Sequence, residues 1–307
     1  MKKSLIFGPV LSRRLGYSLG IDLLPFKTCN QDCLYCEVAK SNNITEKREN
    51  FININNLISQ IKQIKGEIDY ITLAGSGEPT LHANLDQIIR SLKQNFNSPI
   101  VLITNSLLLS KAEVREELLD CDIVLPSLDA VQQKIFQQLN RPIKNVNITG
   151  VIDGLIAFRK KFKGQIWLEI LFCKNINDSK EHILDFKKAI NKINPDKIQL
   201  NSVDRPPAYS TALSLSLTEL QQIAELLDDD RVEIISKKQN SKNNQPLTLN
   251  GLISNLKLRP AIFEDLTKLY AANPKEIREM LLGIQEKGVI TKVIHNHQLF
   301  FISKTTV

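Results

Sequence analysis

The sequence predicts an α/β protein in which a partial (βα)6 TIM-like barrel precedes a small C-terminal winged-helix-like domain. Two observations predict this fold class. Short apolar runs of strand length alternate with longer segments whose apolar residues recur at helical spacing, which is the pattern of parallel β/α units. Six such units occur, fewer than the eight of a closed barrel, and a polar stretch separates them from a C-terminal segment with a different pattern.

The predicted strands and helices alternate along the chain. Strands are expected at residues 17–24, 70–74, 100–104, 123–125, 166–172, 197–201 and 232–235. Helices are expected at residues 55–64, 85–96, 111–119, 147–162, 180–193 and 218–227. Because parallel strands end at the same edge of a barrel, the residues that follow each strand should lie together, and active sites of such barrels lie at that edge.

A linker is predicted at residues 239–246, between a barrel at 1–238 and a C-terminal domain at 247–307. Gln239 to Gln245 contains no apolar residue. Beyond it, helices are expected at 261–271 and 275–286, followed by a hairpin around Asn296. Helices followed by a two-stranded wing resemble winged-helix modules, which bind nucleic acid or serve as docking or capping units.

The composition is that of a globular protein with a sizeable core. The 307 residues are 42% hydrophobic and 24% charged, which excludes a disordered tail, a collagen and a disulfide-dense scaffold. The net charge of +7 permits an anionic partner such as nucleic acid, although a compositional bias towards Lys, Asn and Ile is the favoured explanation. No apolar run has the length of about 18 residues that a spanning helix needs. Pro9 and Asp22 interrupt the two segments that resemble export signals, so we expect a cytoplasmic protein without a membrane partner.

Three of the five cysteines, Cys29, Cys33 and Cys36, fall within eight residues. In a chain without an export signal, an odd number of cysteines argues against a disulfide framework. Thiolates at this spacing can reach one metal centre. A structural zinc site takes four protein ligands, whereas a 4Fe–4S cluster held by three cysteines keeps one iron open for an exogenous ligand. A zinc site completed by His82 or another cysteine is the alternative.

The other two cysteines, Cys121 and Cys173, lie in apolar contexts and are predicted to be core residues. Polar residues and glycines follow the predicted strands and are candidates for ligand contact. Glycines let a backbone approach a ligand ammonium group closely, and neutral hydrogen-bonding side chains suit a ribose or a carboxylate. The candidate cofactor-binding residues are Tyr35, Gly75, Ser76, Gly77, Glu78, Thr104, Asn105 and Ser127.

The loop Cys29-x3-Cys33-x2-Cys36, with Tyr35 before the last cysteine, resembles the signature of the radical S-adenosylmethionine superfamily. Residues 75–78, Gly-Ser-Gly-Glu, resemble its glycine-rich methionine-binding motif. The narrower resemblance is to a bacterial branch related to wyosine-tRNA synthases, and it covers roughly residues 5 to 235. The segments that carry it are residues 7–16, 18–22, 127–130 and 140–142.

The resemblance implies a cofactor and a reaction. Cys29, Cys33 and Cys36 would hold three irons of a 4Fe–4S cluster, and the fourth iron would bind the amino and carboxylate groups of S-adenosylmethionine. An electron from reduced flavodoxin or ferredoxin would cleave that molecule, and the 5′-deoxyadenosyl radical would abstract a hydrogen from the substrate. Residues 75–78 would face the methionine ammonium group, with Asn105 and Ser127 at the ribose or carboxylate and Tyr35 at the adenine.

One departure from the family pattern concerns a second cluster. Wyosine-forming relatives have extra cysteines upstream of the shared motif, and no cysteine precedes Cys29 in this chain, which argues against the wyosine reaction.

Three functions are considered for this chain: a radical enzyme acting on RNA or another macromolecule, an activase that makes a radical on a partner protein or peptide, and a non-catalytic, metal-bearing nucleic-acid-binding regulator. The candidate substrate contacts are Arg13, Arg14, Glu169, Asn201 and Arg205.

Overall fold

Most of the predicted strands form one sheet. The computed structural model describes residues 5–12, 14–41, 43–64, 67–235 and 246–304, so Arg13 and residues 239–245 of the predicted linker lie outside the described residues. The strands are β1 (Ile6–Leu11), β2 (Tyr17–Ile21), β3 (Thr28–Cys29), β4 (Asn43–Ile44), β5 (Tyr70–Leu73), β6 (Ile100–Thr104), β7 (Ile123–Pro126), β8 (Gln165–Phe172), β9 (Lys197–Ser202), β10 (Val232–Ile234), β11 (Ala261–Ile262), β12 (Ile290–His295) and β13 (Gln298–Ser303).

The main sheet has the strand order β1-β2-β5-β6-β7-β8-β9-β10. Every neighbouring pair from β2 to β10 is parallel, and β1 pairs antiparallel with β2 at the edge. Strand-helix alternation along a parallel sheet confirms the predicted partial barrel. The helices are α1 (Ile54–Ile61), α2 (Leu85–Asn95), α3 (Ala112–Glu117), α4 (Gln133–Leu139), α5 (Ile148–Lys161), α6 (Lys180–Ile193), α7 (Leu217–Leu227), α8 (Leu249–Leu258), α9 (Phe263–Leu269) and α10 (Pro274–Glu286).

The helices pack on the sheet through the apolar face that their sequence predicts. In α2, Leu85, Ile88, Ile89 and Leu92 recur at helical spacing, and all four are buried. The isolated cysteines Cys121 and Cys173 are also buried, which confirms that they are core residues. Within the described ranges, no helix combines the length and the apolar character that crossing a bilayer requires.

The elements of the barrel that were not predicted include the two-residue strands β3 and β4, strand β1 and helix α4. Strand β1 contains Gly8 and Pro9, which weaken the strand signal, and it is held by its antiparallel partner β2. Helix α4 is seven residues long, and only Phe136 and Leu139 of it are buried, so its apolar periodicity is too short to recognise.

The C-terminal elements form a second hydrophobic cluster of their own, centred on Leu252, Leu266, Ile277 and Leu281. Strands β11, β13 and β12 make a three-stranded antiparallel sheet in that order. The helix expected from residue 261 begins only at Phe263, because residues 261–262 pair with β13 instead. Assignment of these elements to the winged-helix class, and the domain boundaries, stay predictions.

Acid should destabilise the fold through His82. Burial, followed by the nearby Arg48 guanidinium, lowers the pKa of His82 from 6.5 to about 4. The stability contributed by the neutral ring is therefore fully present above pH 6.5 and is lost as the pH falls towards 4. Urea titrations between pH 7 and pH 4.5 should show a smaller loss for His82→Gln than for the parent chain. An equal loss in both proteins would contradict this assignment.

Candidate active site

The three clustered cysteines lie on the loop that follows β2. Strand β3, which ends at Cys29, pairs with β4, and the Thr45 amide donates to the Cys29 carbonyl at 2.9 Å. A turn brings the Cys36 amide to 3.2 Å from the Cys33 carbonyl. All three residues are partly exposed, and none of them is in a disulfide. One loop therefore carries all three sulfur atoms.

A buried lysine contacts the last of these sulfur atoms. Lys27 is 6% exposed, and its Nζ donates to Cys36 Sγ at 2.9 Å. Burial opposes the charge of Lys27, but the three cysteine sulfurs outweigh it, so the pKa of Lys27 is raised. The charged form of Lys27 is thus favoured by its position among the three sulfur atoms.

The other two sulfur atoms are near side-chain amides, one from the end of β6 and one from the end of helix α4. Asn105 Nδ2 donates to Cys29 Sγ at 3.7 Å, and Asn140 Nδ2 donates to Cys33 Sγ at 3.6 Å. Burial, followed by the Glu78 carboxylate, raises the pKa of Cys29 to about 11. Burial also raises the pKa of Cys33 well above its ordinary value. The thiolates that a metal centre needs are therefore costly here until a metal or a cation balances their charge.

Asp22 connects the cysteine loop to the glycine-rich loop after β5. Its carboxylate accepts from the Ser76 hydroxyl at 2.9 Å and from the Ser76 amide at 3.2 Å. A Cβ at Gly75 would lie 2.5 Å from Asp22 Oδ1, so this close packing requires glycine at that position. The structure thus gives Gly75 a packing role, and its contact with a ligand stays a prediction.

Glu78 fixes the same loop from its other end. Its carboxylate accepts from the Thr104 hydroxyl at 2.6 Å and from the Asn105 amide at 2.8 Å, and its own amide donates to the Thr28 carbonyl at 3.0 Å. A Cβ at Gly77 would lie 2.0 Å from that same carbonyl oxygen. The hydrogen bond between the Glu78 and Thr104 side chains therefore joins the loop after β5 to the end of β6. The backbone amide of Glu78 joins the same loop to the cysteine loop.

Tyr35 belongs to a second hydrogen-bonded group. Its hydroxyl donates to Asp129, which also accepts from Asn140 Nδ2 at 2.9 Å and from the Leu171 amide at 2.9 Å. Burial, followed by the Asp129 charge, raises the pKa of Tyr35 well above its ordinary value, so the phenol keeps its proton. Asn140 thus links this group to Cys33.

A cavity of about 320 Å³ opens beside this group at the carboxyl ends of the strands. Among the predicted cofactor-binding residues, Tyr35 and Ser127 line it, together with the cysteine Cys36. The cavity lining does not include Cys29, Cys33, residues 75–78, Thr104 or Asn105, which lie in the adjoining loops. The predicted substrate contacts that do line the cavity are Arg14, Glu169, Asn201 and Arg205.

Each of the substrate candidates that line the cavity forms an ion pair or a hydrogen bond with another side chain of the cavity wall. Arg14 forms an ion pair with Glu169, which also accepts from Asn201 Nδ2 at 3.2 Å. Arg205 donates from one guanidinium nitrogen to both carboxylate oxygens of Glu37, at 3.1 and 2.9 Å. These pairs hold each charged group in a fixed position at the cavity wall.

His82 was the candidate for a fourth ligand of a zinc ion. Among the described residues, no three His, Cys, Asp or Glu side chains are grouped around one metal position. Both ring nitrogens of His82 lie at backbone amides, those of Phe51 at 3.3 Å and Asn84 at 3.2 Å, so this ring is used in the fold. In a 4Fe–4S cluster each of the three thiolates ligates a different iron. The three sulfur atoms therefore lie further apart than ligands that share one zinc ion.

Sequence reasoning missed several residues of the site: Asp22, Lys27, Asp129, Asn140 and Arg259. Asp22 falls inside the strand predicted at residues 17–24 but directly follows β2 in the structure, and Asp129 lies three residues beyond β7. Both belong to segments that carry the family resemblance, a signal that could have identified them. Lys27 precedes the first cysteine by two residues. Asn140 and Arg259 reach the site from helix ends. Asn140 lies in segment 140–142, which carries the family resemblance, whereas no local pattern marks Arg259.

A family profile described as the radical SAM superfamily matches residues 23–186. UPF0026 protein MJ1312 of Methanocaldococcus jannaschii is 33% identical over 243 residues, which cover 76% of this chain and 75% of that protein. A Brachyspira hyodysenteriae protein named GTPase Obg is 35% identical over 308 residues, which cover 98% of this chain. That alignment spans 45% of the Brachyspira protein, so this chain matches about half of its length.

The fold also matches solved structures. The structure described as TYW1 with a lysine-pyruvate adduct bound has a TM-score of 0.54 to this chain at 17% identity. The superposition covers 71% of this chain and 75% of that one. Similarity at this level of identity shows a shared fold.

Replacing Glu78 should lower the free energy of unfolding, because its buried carboxylate accepts several hydrogen bonds. In Glu78→Gln, an amide NH2 takes the place of an oxygen that accepts from Thr104, Thr80 or Asn105, and a buried donor then faces another donor. We expect a loss of about 1–3 kcal/mol in the free energy of unfolding. Chemical denaturation measures it, with Glu67→Gln as the control because Glu67 is exposed. Equal stability of the two variants would contradict the role given to Glu78.

Proposed function

Because the chain belongs to the radical S-adenosylmethionine superfamily, we propose that it is an enzyme that cleaves this molecule reductively and abstracts a hydrogen from a substrate held in the barrel cavity. Members of the superfamily bind a 4Fe–4S cluster and S-adenosylmethionine, and they need an electron donor. One observation carries the proposal: three cysteines of one loop lie beside a cavity of about 320 Å³ whose wall includes Cys36.

The residues of the loop fit such a cluster. When bound, the cluster and S-adenosylmethionine supply a 5′-deoxyadenosyl radical for hydrogen abstraction. Cys29, Cys33 and Cys36 are the proposed ligands of three irons. Lys27 supplies a positive charge beside the thiolates. Asn30, fully buried next to Cys29, has a side-chain Nδ2 without a hydrogen-bond partner among the described residues, which is a donor available to a bound group.

The residues proposed to hold S-adenosylmethionine divide into two kinds. Glu78, Thr104 and Asn105 shape the binding loops through their mutual hydrogen bonds, which leaves the backbone of residues 75–77 to meet the methionine group. Tyr35 and Ser127 line the cavity and are proposed to contact the nucleoside. The hydrogen bond of Tyr35 to Asp129 fixes the ring for that contact.

RNA is the proposed substrate class, and it is supported by the net charge of +7. The cavity has the size of a small-molecule site, so a macromolecule must insert a single base or side chain into it. We propose flavodoxin or ferredoxin as the electron donor. A cytoplasmic location, where thiols stay reduced, is part of the same proposal.

Loss of one cysteine ligand should abolish cluster loading. After anaerobic reconstitution, the parent chain should hold about four iron atoms and should release 5′-deoxyadenosine when it is reduced with S-adenosylmethionine present. Cys36→Ala should lose both, since it removes a ligand. Cys121→Ala is the matched control, because Cys121 lies in the core and is not a proposed ligand. Iron analysis and chromatography measure the two quantities. Stoichiometric zinc in the parent chain, with no release of 5′-deoxyadenosine, would contradict the proposal.

A further inference from the structure

The C-terminal unit, residues 246–304, contacts the barrel at two separated places. Helix α8 packs against β1, and Lys257 Nζ lies 4.9 Å from the ring centroid of Phe26 on the cysteine loop. At the other end, Asn296 in the turn between β12 and β13 donates to the Val203 carbonyl at 3.2 Å and to Ser214 Oγ at 2.8 Å. The unit therefore bridges the loop after β2 and the loop after β9.

The bridge brings one basic side chain of the C-terminal unit to the cavity. Arg259 follows the last residue of α8, and its amide donates to the Asn255 carbonyl at 2.9 Å, which fixes where the helix ends. Arg259 lines the same cavity as Cys36 and Ser127. The wall of this cavity is thus built by both parts of the chain.

Arg205 lines the cavity from the barrel side, two residues after Val203. It is 6% exposed, and its Nε has no hydrogen-bond partner among the described residues. A buried donor without an acceptor costs free energy, so this atom points to an acceptor that a ligand brings. The ion pair with Glu37 holds the guanidinium in place.

The remaining lining defines the chemistry of the ligand. Guanidinium groups recognise the oxyanions of carboxylates and phosphates through paired N–H donors. Arg14, Arg205 and Arg259 supply three such groups, of which Arg14 pairs with Glu169 and Arg205 pairs with Glu37 at the same wall. Another part of the lining is apolar and suits the uncharged body of the ligand; it is formed by Phe7, Val10, Leu15, Ile103 and Leu171.

We propose that the C-terminal unit completes the substrate site, and that Arg259 and Arg205 together bind an oxyanion group of the substrate, a phosphate or a carboxylate. This inference rests on the proposed function and adds the substrate chemistry. It gives the C-terminal unit a role in the reaction. The two contacts with the barrel fix Arg259 at the cavity.

Calorimetric titration of the reconstituted protein with inorganic phosphate, and separately with acetate, tests the proposal. Arg259→Gln should weaken binding of the preferred anion at least about tenfold, which corresponds to about 1.4 kcal/mol. Arg259→Lys should recover part of the affinity because it keeps the charge. Arg278→Gln is the matched control, since Arg278 stacks on Phe263 within the C-terminal unit and does not line this cavity.

The two anions separate the two sources of the oxyanion: preference for phosphate indicates a phosphorylated substrate, and preference for acetate indicates a carboxylate. Absence of binding of both anions to the parent chain, or equal affinity in Arg259→Gln, would overturn the inference. Cluster loading and 5′-deoxyadenosine release by the parent chain are measured first. If these fail, the proposed function fails; if they succeed and anion binding is unaffected in Arg259→Gln, only the substrate inference fails.

Discussion

Three sulfur atoms have to be held close to one another by a loop with little regular structure of its own, and the neighbouring strand ends provide that support. Asp22 binds Ser76, the Thr28 carbonyl accepts from the Glu78 amide, and side-chain amides approach two of the sulfurs. Two of these contacts join the loop after β2 to the loop after β5, and the amides come from the end of β6 and the end of α4. A parallel sheet, whose strand ends converge, is what makes such a set of contacts available.

The protonation of Cys29 and Cys33 depends on their burial and on the charges near them. Burial makes a thiolate costly at Cys29 and Cys33, whose pKa values are raised, and it also opposes a charge on Lys27. The Lys27 charge opposes the rise in the pKa of Cys29, and the cysteine sulfurs raise the pKa of Lys27, so the two costs partly offset each other. Because metal ligands must be deprotonated, loading of a cluster is linked to proton release and becomes more favourable as the pH rises. The same linkage explains why a buried lysine is useful at this position.

The sequence predicted the barrel because its strand and helix patterns are long and regular, and the hydrophobic faces of α2 and β8 are where the spacing indicates. It did not predict β1, whose Gly-Pro pair weakens the strand pattern. It also placed residues 261–262 in a helix, whereas they form a strand that pairs with β13. In the site, the spacing of the cysteines identified the sulfur atoms. The contacts of Lys27 and Asn140 with the sulfur atoms were missed because a contact through space leaves no local pattern. Arg259 was missed because the docking of the C-terminal unit brings it to the cavity from far along the chain.

The central claim is that three protein sulfurs hold the cluster and that one iron remains open to S-adenosylmethionine. Mössbauer spectroscopy of the protein reconstituted with ⁵⁷Fe, recorded before and after addition of S-adenosylmethionine, tests it most directly. The account predicts that one iron in four changes its signal while the other three do not. The claim would be contradicted if none of the four iron signals changed on addition of S-adenosylmethionine, or if a fourth protein side chain ligated the remaining iron.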